Sequence, residues 1–430
     1  MGAGRPGGRA VARLATLALI LLVPSAHMNP TRKVLILGAG VAGAILARRL
    51  AALPGLDVTC LERVAPDDHS EAGTGLNVGP NALKALRACD PALADEVSAQ
   101  SLPWRSWRTS LSDGTLLFDL PLARVADNDG IRIRWSELYR ILRQGAGAAI
   151  RYGCDVTAIG PDPRDPLRTR VAWTQDGQHH TLDGIDLLIG TDGRYSATRA
   201  AFSGLPEARH VGVAILRVLV EDHSGGLVDD YEQWFNRHHR LLAFRVPPGH
   251  IYIAGTYPID AGAPIPEDWK TPEAMRRAFL PEGREASPAV RWLVDALCAQ
   301  AGEAHWARMQ ESEPRFAEPE RQVLYLGDSA HGMAPTLGQG ATQAMEDASC
   351  AALLIEAAVR EGRFGVRSWL DGIEAARRER IRFAMDLSVR ATDTLLQGAD
   401  PVAGARWKTE APFIGELSRL FRDVALGARA

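Results

Sequence analysis

Hydrophobic and polar positions fall into three patterns along this chain. The first is a short, nearly continuous apolar run that ends in a glycine-rich or acidic turn and is followed by a helical stretch. It occurs at Lys33–Leu37, at Asp186–Ile189 and at Val323–Leu326. Such runs predict strands buried on both faces of a parallel sheet. The second pattern fills residues 201–315, which read largely as strands: 211–220, 231–235, 240–246 and 251–257, with Pro247-Pro248-Gly249 as a turn. The stretches 104–111 and 115–120, joined at Asp113-Gly114, predict a hairpin belonging to the same sheet. The third pattern is helical. It covers most of 349–398 and resumes in a basic tail, 401–430, read as a further helix at a subunit contact.

The turns carry the candidate chemistry. After the first strand comes Gly38-Ala39-Gly40-Val41-Ala42-Gly43, then a helical stretch to Pro54-Gly55, a second strand Val58–Leu61, and Glu62 followed by Arg63. Gly38 permits a tight turn, Gly40 leaves room for a pyrophosphate, and Gly43 lets the helix approach the strand. The helix N-terminus favours phosphate, and Glu62 can accept from ribose hydroxyls. A second strand delivers Gly190-Thr191-Asp192-Gly193, with a helix beginning near Ser196. A third delivers Gly327-Asp328-Ser329-Ala330-His331, then Pro335 and Gly338-Gln339-Gly340, and a helix from Ala341. Together these predict one extended ligand lying along a sheet edge.

These three elements, in this order, resemble the signatures of the single-component, class A flavoprotein monooxygenases of the para-hydroxybenzoate hydroxylase fold. The resemblance covers 33–390. Within that family, the segment Gly73–Asn81 is similar to members acting on salicylate, 6-hydroxynicotinate and urate. The resemblance implies an α/β chain: a Rossmann-like FAD-binding domain, an interleaved β-sheet substrate domain and a helical C-terminal part. Its boundaries are a leader (1–27), the FAD-binding domain (28–200, with the hairpin 104–120 assigned to the substrate sheet), the substrate sheet (201–315), the second part of the FAD domain (316–398) and a helical tail (399–430). It further implies non-covalent FAD, NAD(P)H as reductant, O₂ as oxidant, and hydroxylation of a small aromatic or heteroaromatic acid through a C4a-hydroperoxyflavin. Asp328 is then expected at the flavin ribityl chain. Gly338, Gln339, Gly340 and Ala341 are expected at the flavin ring, and Asp192 at the flavin and the NAD(P)H approach. The position where the family carries a phosphate-binding Arg holds Trp135, so Arg134, one place earlier, takes that assignment. Thr342 stands where the family often has Asn.

The substrate candidates are Asn77, Arg217, Phe244, Tyr257 and Pro335. Arg can clamp a carboxylate through two N–H groups. Asn77 and His331 are also the catalytic candidates, each with a plainer alternative as a turn residue. The other readings kept open are a flavin oxidase or dehydrogenase of a small molecule, and a non-catalytic FAD-binding protein.

Composition narrows the picture further. The chain has 430 residues, 46% hydrophobic and 23% charged, with a formal net charge of -3. That is an ordinary globular balance with no electrostatic reason for nucleic acid as a partner. Five scattered cysteines without a CxxC pair read as reduced thiols, and no metal spacing stands out. Residues 1–27 have a signal-peptide layout: Arg5, Arg9 and Arg13, an apolar run 14–23, then Ser25-Ala26. Two readings stand, an export or anchoring signal or a true start at Met28. The second, with a cytoplasmic monomer or homodimer and no stable membrane insertion, is preferred.

Overall fold

The computed structural model describes residues 1–2, 31–67 and 74–427. The leader beyond Gly2, Met28 and Gly73 lie outside the described residues. Four sheets organise the rest. The first has six strands, in the order Ala317–Glu318, Val323–Tyr325, Leu187–Gly190, Arg32–Leu37, Leu56–Leu61, Ile150–Arg151. Its central strands are parallel, and Leu35, Ile36, Leu188, Ile189 and Leu324 are fully buried. This is why those runs carry no polar alternation: helices or a second sheet cover both faces. The helices Val41–Leu50, Gln339–Arg360 and Val366–Arg390 pack on one side. A three-stranded antiparallel meander (Asp155–Asp162, Asp165–Gln175, Gln178–Ile185) supplies Val171 and Trp173 to the core on the other side.

The second large sheet has seven strands, in the order His305–Glu311, Arg209–Glu221, His250–Pro258, His239–Val246, Tyr231–Asn236, Ser106–Leu111, Leu116–Pro121. The hairpin Ser106–Pro121 joins it through a parallel pairing of Ser106–Leu111 with Tyr231–Asn236. A small sheet (Gly75–Val78, Gly130–Arg134, Leu102–Trp104) links the two halves of the chain.

Two readings of the sequence differ from this fold. Residues 201–315 are not all strand: Pro272–Phe279 and Pro288–Ala299 are helices. Thr271 and Ser287 cap them with Pro in the first turn, and Met275, Phe279, Leu293 and Leu297 are buried against the outer face of the seven-stranded sheet. The tail, read as one further helix, is two. It forms Pro401–Trp407 and Ala411–Arg422, and Phe413, Leu417, Leu420 and Phe421 are buried in the core on the sheet's inner face. The apolar side of the tail packs on this chain's own sheet. Among the described residues no helix is long and apolar enough to cross a membrane.

Candidate active site

The three turns meet at the ends of adjacent parallel strands. Ser329 Oγ donates to the Gly190 carbonyl at 2.6 Å, and Arg199 donates to the carbonyls of Ser329 and Ala330 at 3.2 and 3.1 Å. These bonds fix the second turn to the third. Gly43 fixes the first: a Cβ there would lie 1.9 Å from the Gly38 carbonyl oxygen, so only glycine lets the helix seat on its own strand.

Two cavities open along this junction and share Gly40, Tyr139, Thr191, Gly193 and Arg194 as walls. One, about 480 Å³, is lined by Gly38, Glu62, Arg63, Arg143, Asp192 and Tyr195 among others. The other, about 290 Å³, runs past Asp328, Pro335, Gly338, Gly340 and Ala341 to the inner face of the seven-stranded sheet.

In the first cavity the electrostatics suit a nucleotide diphosphate. Glu62 accepts from the Ala39 N–H at 2.6 Å and from the Val64 N–H at 3.2 Å, which leaves it further lone pairs for a ribose. Arg143 donates to the Ala39 carbonyl at 2.8 Å and lies 3.5 Å from Glu62, while its buried Nη1 has no partner among the described residues. Arg134 does not line either cavity; its guanidinium reaches Ser136 Oγ at 3.4 Å. Arg143 lines the first cavity together with Arg63 and Arg194, and it lies on the same helix face as Trp135 and Tyr139 (Arg143 sits 4.9 Å from the Tyr139 ring). The spacing 135, 139, 143 is the sequence signal that could have found it. Arg143→Met is expected to weaken FAD binding about tenfold, the usual worth of one charge-assisted contact. Fluorescence titration of the apoprotein checks this.

Asp192 borders the nucleotide cavity, but its carboxylate is committed to the next helix. It accepts from Ser196 Oγ at 2.6 Å and from Thr198 N and Oγ1 at 2.9 Å.

In the second cavity Gly338 is left-handed (φ 64°) and begins the helix Gln339–Arg360, whose first N–H groups face the space beside Gly340 and Ala341. A Cβ on Gly338 would meet Asn77 Nδ2 at 2.8 Å. Thr342 Oγ1 accepts from the Gly79 N–H at 2.9 Å and donates to the Gly338 carbonyl, so it locks this turn to the strand bearing Asn77. Gln339, expected at the flavin ring, does not line the cavity. Its side chain is fully buried and accepts from Asn81 and Gln343.

The sheet wall consists of Ile215, Arg217, Tyr231, Arg240, Leu242, Tyr252 and Ala254. Arg240 is 4% exposed and Arg217 half-buried. Neither has a carboxylate partner among the described residues, and Nε of each is buried without a hydrogen bond. Burial pushes the Arg240 guanidinium below its usual range, with the phenols of Tyr231 and Tyr252 acting against that shift. The Tyr252 phenol is pushed up to about 12 by burial, despite Arg217 and Arg240.

Three candidates fall outside this wall. Tyr257 is on the opposite face of the sheet, stacked on Trp269 and packed against Phe279 and Trp306. Phe244 shares the inner face but sits behind Tyr231 and Tyr252, 1% exposed. His331 is fully buried and does not line the cavity. Its Nε2 pairs with Asp347 at 2.6 Å, so its place is structural. Tyr252→Phe is accordingly expected to raise the substrate KM several-fold, while Tyr257→Phe leaves it within twofold; steady-state kinetics of both variants decides which face is used.

Comparison with known proteins follows the same lines. The FAD binding domain family matches residues 31–388. The 2-heptyl-3-hydroxy-4(1H)-quinolone synthase of Pseudomonas aeruginosa is 28% identical over 73% of this chain and 78% of the relative. The FAD-dependent urate hydroxylase of Klebsiella pneumoniae is 27% identical over 88% of this chain and 94% of its own length. The crystal structure of Klebsiella pneumoniae HpxO with FAD and uric acid superimposes with a TM-score of 0.73 at 24% identity, covering 93% of this chain and 99% of that one.

Proposed function

The chain belongs to the FAD binding domain family, whose relatives here are class A flavin monooxygenases, and on that premise we propose that it hydroxylates a small aromatic or heteroaromatic acid with NAD(P)H and O₂. The observation that carries the substrate class is the cavity's cationic wall. Two arginines without carboxylate partners among the described residues face a ring-sized space between two tyrosines.

FAD, when bound, would supply the redox chemistry that links NAD(P)H and O₂ to the substrate. The residues fit it. The orphaned Nη1 of Arg143 and the N–H groups around Gly40 would hold the diphosphate, Glu62 the ribose, Asp328 the ribityl hydroxyls, and the helix start at Gly338–Gly340 the ring's electron-rich edge. The rest of the reaction depends on how this chain holds its substrate. Arg240, with Arg217 at the rim, fixes the carboxylate. Tyr231, Leu242, Tyr252 and Pro335 confine the ring, and Met333 and Leu326 close the space to water. The buried phenol of Tyr231 accepts a hydrogen bond from Gln233 Nε2 at 2.8 Å, which leaves its proton free to donate into the cavity and orient a ring substituent.

The test is a visible spectrum of the purified protein, followed by NAD(P)H oxidation and product mass across benzoate and pyridine carboxylates. Flavin absorption, ring-stimulated oxidation and a gain of one oxygen atom are the expected results. Flavin reduced directly by an alcohol or amine, with no ring stimulation, would move the protein to the oxidase class.

A further inference from the structure

Two phenols face the substrate cavity, and they are not equivalent. Tyr252 has no hydrogen-bond partner among the described residues, so its proton can turn either way. Tyr231 is held. Its ring lies between Trp104 and Phe244, with centroids 5.3 and 5.9 Å away, and its hydroxyl is 2.8 Å from the side-chain amide of Gln233. The end of the amide that meets the phenol decides what Tyr231 offers a substrate. An amide N–H there makes the phenol an acceptor and leaves its proton for the cavity. The amide oxygen there would draw the proton backwards and leave only lone pairs. The surroundings of Gln233 decide between the two. Gln233 is buried and also lines a small space of about 10 Å³ behind Arg240, with room for one water molecule at most. The other walls of that space are rich in donors. Trp107 Nε1 and Arg240 Nε are buried without an acceptor, and Lys408 brings its ammonium. A carbonyl oxygen turned toward two cations and an indole N–H is favourable. An amide N–H2 group turned that way would add two donors to a wall already short of acceptors. The amide oxygen therefore faces Lys408 and Arg240, the amide nitrogen faces Tyr231, and the phenol proton points into the substrate cavity. Among the described residues that proton has no acceptor.

We propose that Gln233 is a positioning residue that sets the polarity of the substrate cavity. Through Tyr231 it selects rings that carry an oxygen acceptor, a hydroxyl or ring oxo group, beside that phenol, and it disfavours rings that carry an amino donor there. The inference rests on the reading that the cavity takes an aromatic acid, and it narrows that class to oxygen-substituted ring acids. Gln233 does not line the substrate cavity. It sits on the same strand face as Tyr231, two residues on, and acts only through the phenol. A donor brought against the Tyr231 proton would leave both donors buried without an acceptor, and a site built for one hydrogen-bonding group rejects the mismatched analogue for that reason.

The experiment measures the dissociation constants of the three hydroxybenzoates and the three aminobenzoates on the FAD-loaded full chain, without NAD(P)H, from the change in flavin absorption. Both rings of a pair carry the carboxylate, so the ratio of their constants, amino over hydroxy, cancels any general change in affinity. For the wild-type protein this ratio is expected to be about ten or more at the ring position that meets Tyr231. Gln233→Glu is the reversing variant. Its carboxylate, held among Lys408 and Arg240, accepts the phenol proton, so Tyr231 shows lone pairs to the cavity and the ratio at that position falls below one. Gln233→Met keeps most of the volume without the amide and guards against a misfolded Glu variant. It brings the ratio to within about twofold of one, as does Tyr231→Phe. A residue that only packs would change both constants together and leave the ratio alone. An amino ring held as tightly as its hydroxy partner at every position in the wild type, or a ratio unchanged in both Gln233 variants, would overturn the proposal. Failure of the aromatic-acid reading has a different signature: no ring acid then perturbs the flavin, and the selection falls with it.

Discussion

Replacing Arg240 by Met raises the KM for an aromatic acid about a hundredfold or more and leaves the bound flavin content unchanged. The guanidinium stands on the inner face of the seven-stranded sheet, 4% exposed, among Tyr231, Leu242 and Tyr252. A buried charge-assisted contact to a carboxylate contributes roughly 1.5–3 kcal/mol, and two such bonds in a bidentate pair exceed the ~2.8 kcal/mol that a hundredfold requires. The variant carries a second signature. Arg240 has no carboxylate partner among the described residues, so its removal relieves a desolvated charge, and thermal stability is unchanged or higher. A residue that merely packs would show the reverse, a normal KM with a lower melting temperature. Arg217→Met, at the more solvated rim, is expected to cost about tenfold. An unchanged KM in Arg240→Met, measured across carboxylate-bearing rings, would remove the anionic substrate from consideration.

Arg377→Met is expected to destabilise the fold by about 3–5 kcal/mol, the usual cost of stripping one partner from a buried ion cluster. Arg377, Glu346 and Asp347 are all fully buried. Arg377 bonds Asp347 and Glu346 at 2.8 Å and Gln343 at 2.6 Å, and Arg380 bonds Glu346 at 2.9 Å. Methionine would fill most of the volume and leave Glu346 with Arg380 alone and Asp347 with His331 alone. The damage extends to the cleft. The other oxygen of Asp347 accepts from the Gly327 N–H at 2.9 Å and pairs with His331, so it sets the turn that presents Asp328. Flavin retention should therefore fall together with the denaturation midpoint in guanidinium. The same cluster fixes an acid limit. Burial raises the pKa of Asp347, but His331 and Arg377 outweigh it and hold the carboxyl at about 2. A group depressed in the folded state contributes stability above its unfolded value, near 3.9, and loses it as pH falls through the folded value. Wild-type stability should thus drop most steeply between about pH 4 and pH 2, and Asp347→Asn should flatten that slope.

The chain's own pattern determined the nucleotide end of this molecule. Gly38, Gly40 and Gly43, the acids at Glu62 and Asp328, and the turn at Gly338–Gly340 are fixed by backbone requirements that act within a few residues: a tight turn, a close helix approach, a left-handed residue before a helix. Local requirements leave local signals, and Gly38, Gly40, Glu62, Asp328, Gly338 and Gly340 lie together along the two joined cavities. The resemblance to flavin monooxygenases rests on the same short motifs.

The substrate end was decided by tertiary structure. A strand's two faces can be told apart in sequence only when one of them meets water. Here the helices Pro272–Phe279 and Pro288–Ala299 cover the outer face and the C-terminal tail packs on the inner one, so 240–246 and 251–257 read as almost unbroken apolar runs. Tyr252 and Tyr257 are an odd number of residues apart and therefore point to opposite faces, and nothing local says which face meets the cleft. Arg240 escaped notice for a related reason. It looks like any strand arginine until the fold buries it without a carboxylate partner among the described residues. Arg143, which the sequence does not single out, lines the first cavity and Arg134 does not, because the helix Trp135–Gln144, packed across the first turn, carries only its 135, 139, 143 face to the cleft. His331 lies just past Gly327 and Asp328, which line the cavity, yet it is withdrawn because Asp347, one helix away, pairs with it in the core. Chain-local geometry thus specified the glycine and acid turns, and long-range packing specified which side chains line the cavity beside them.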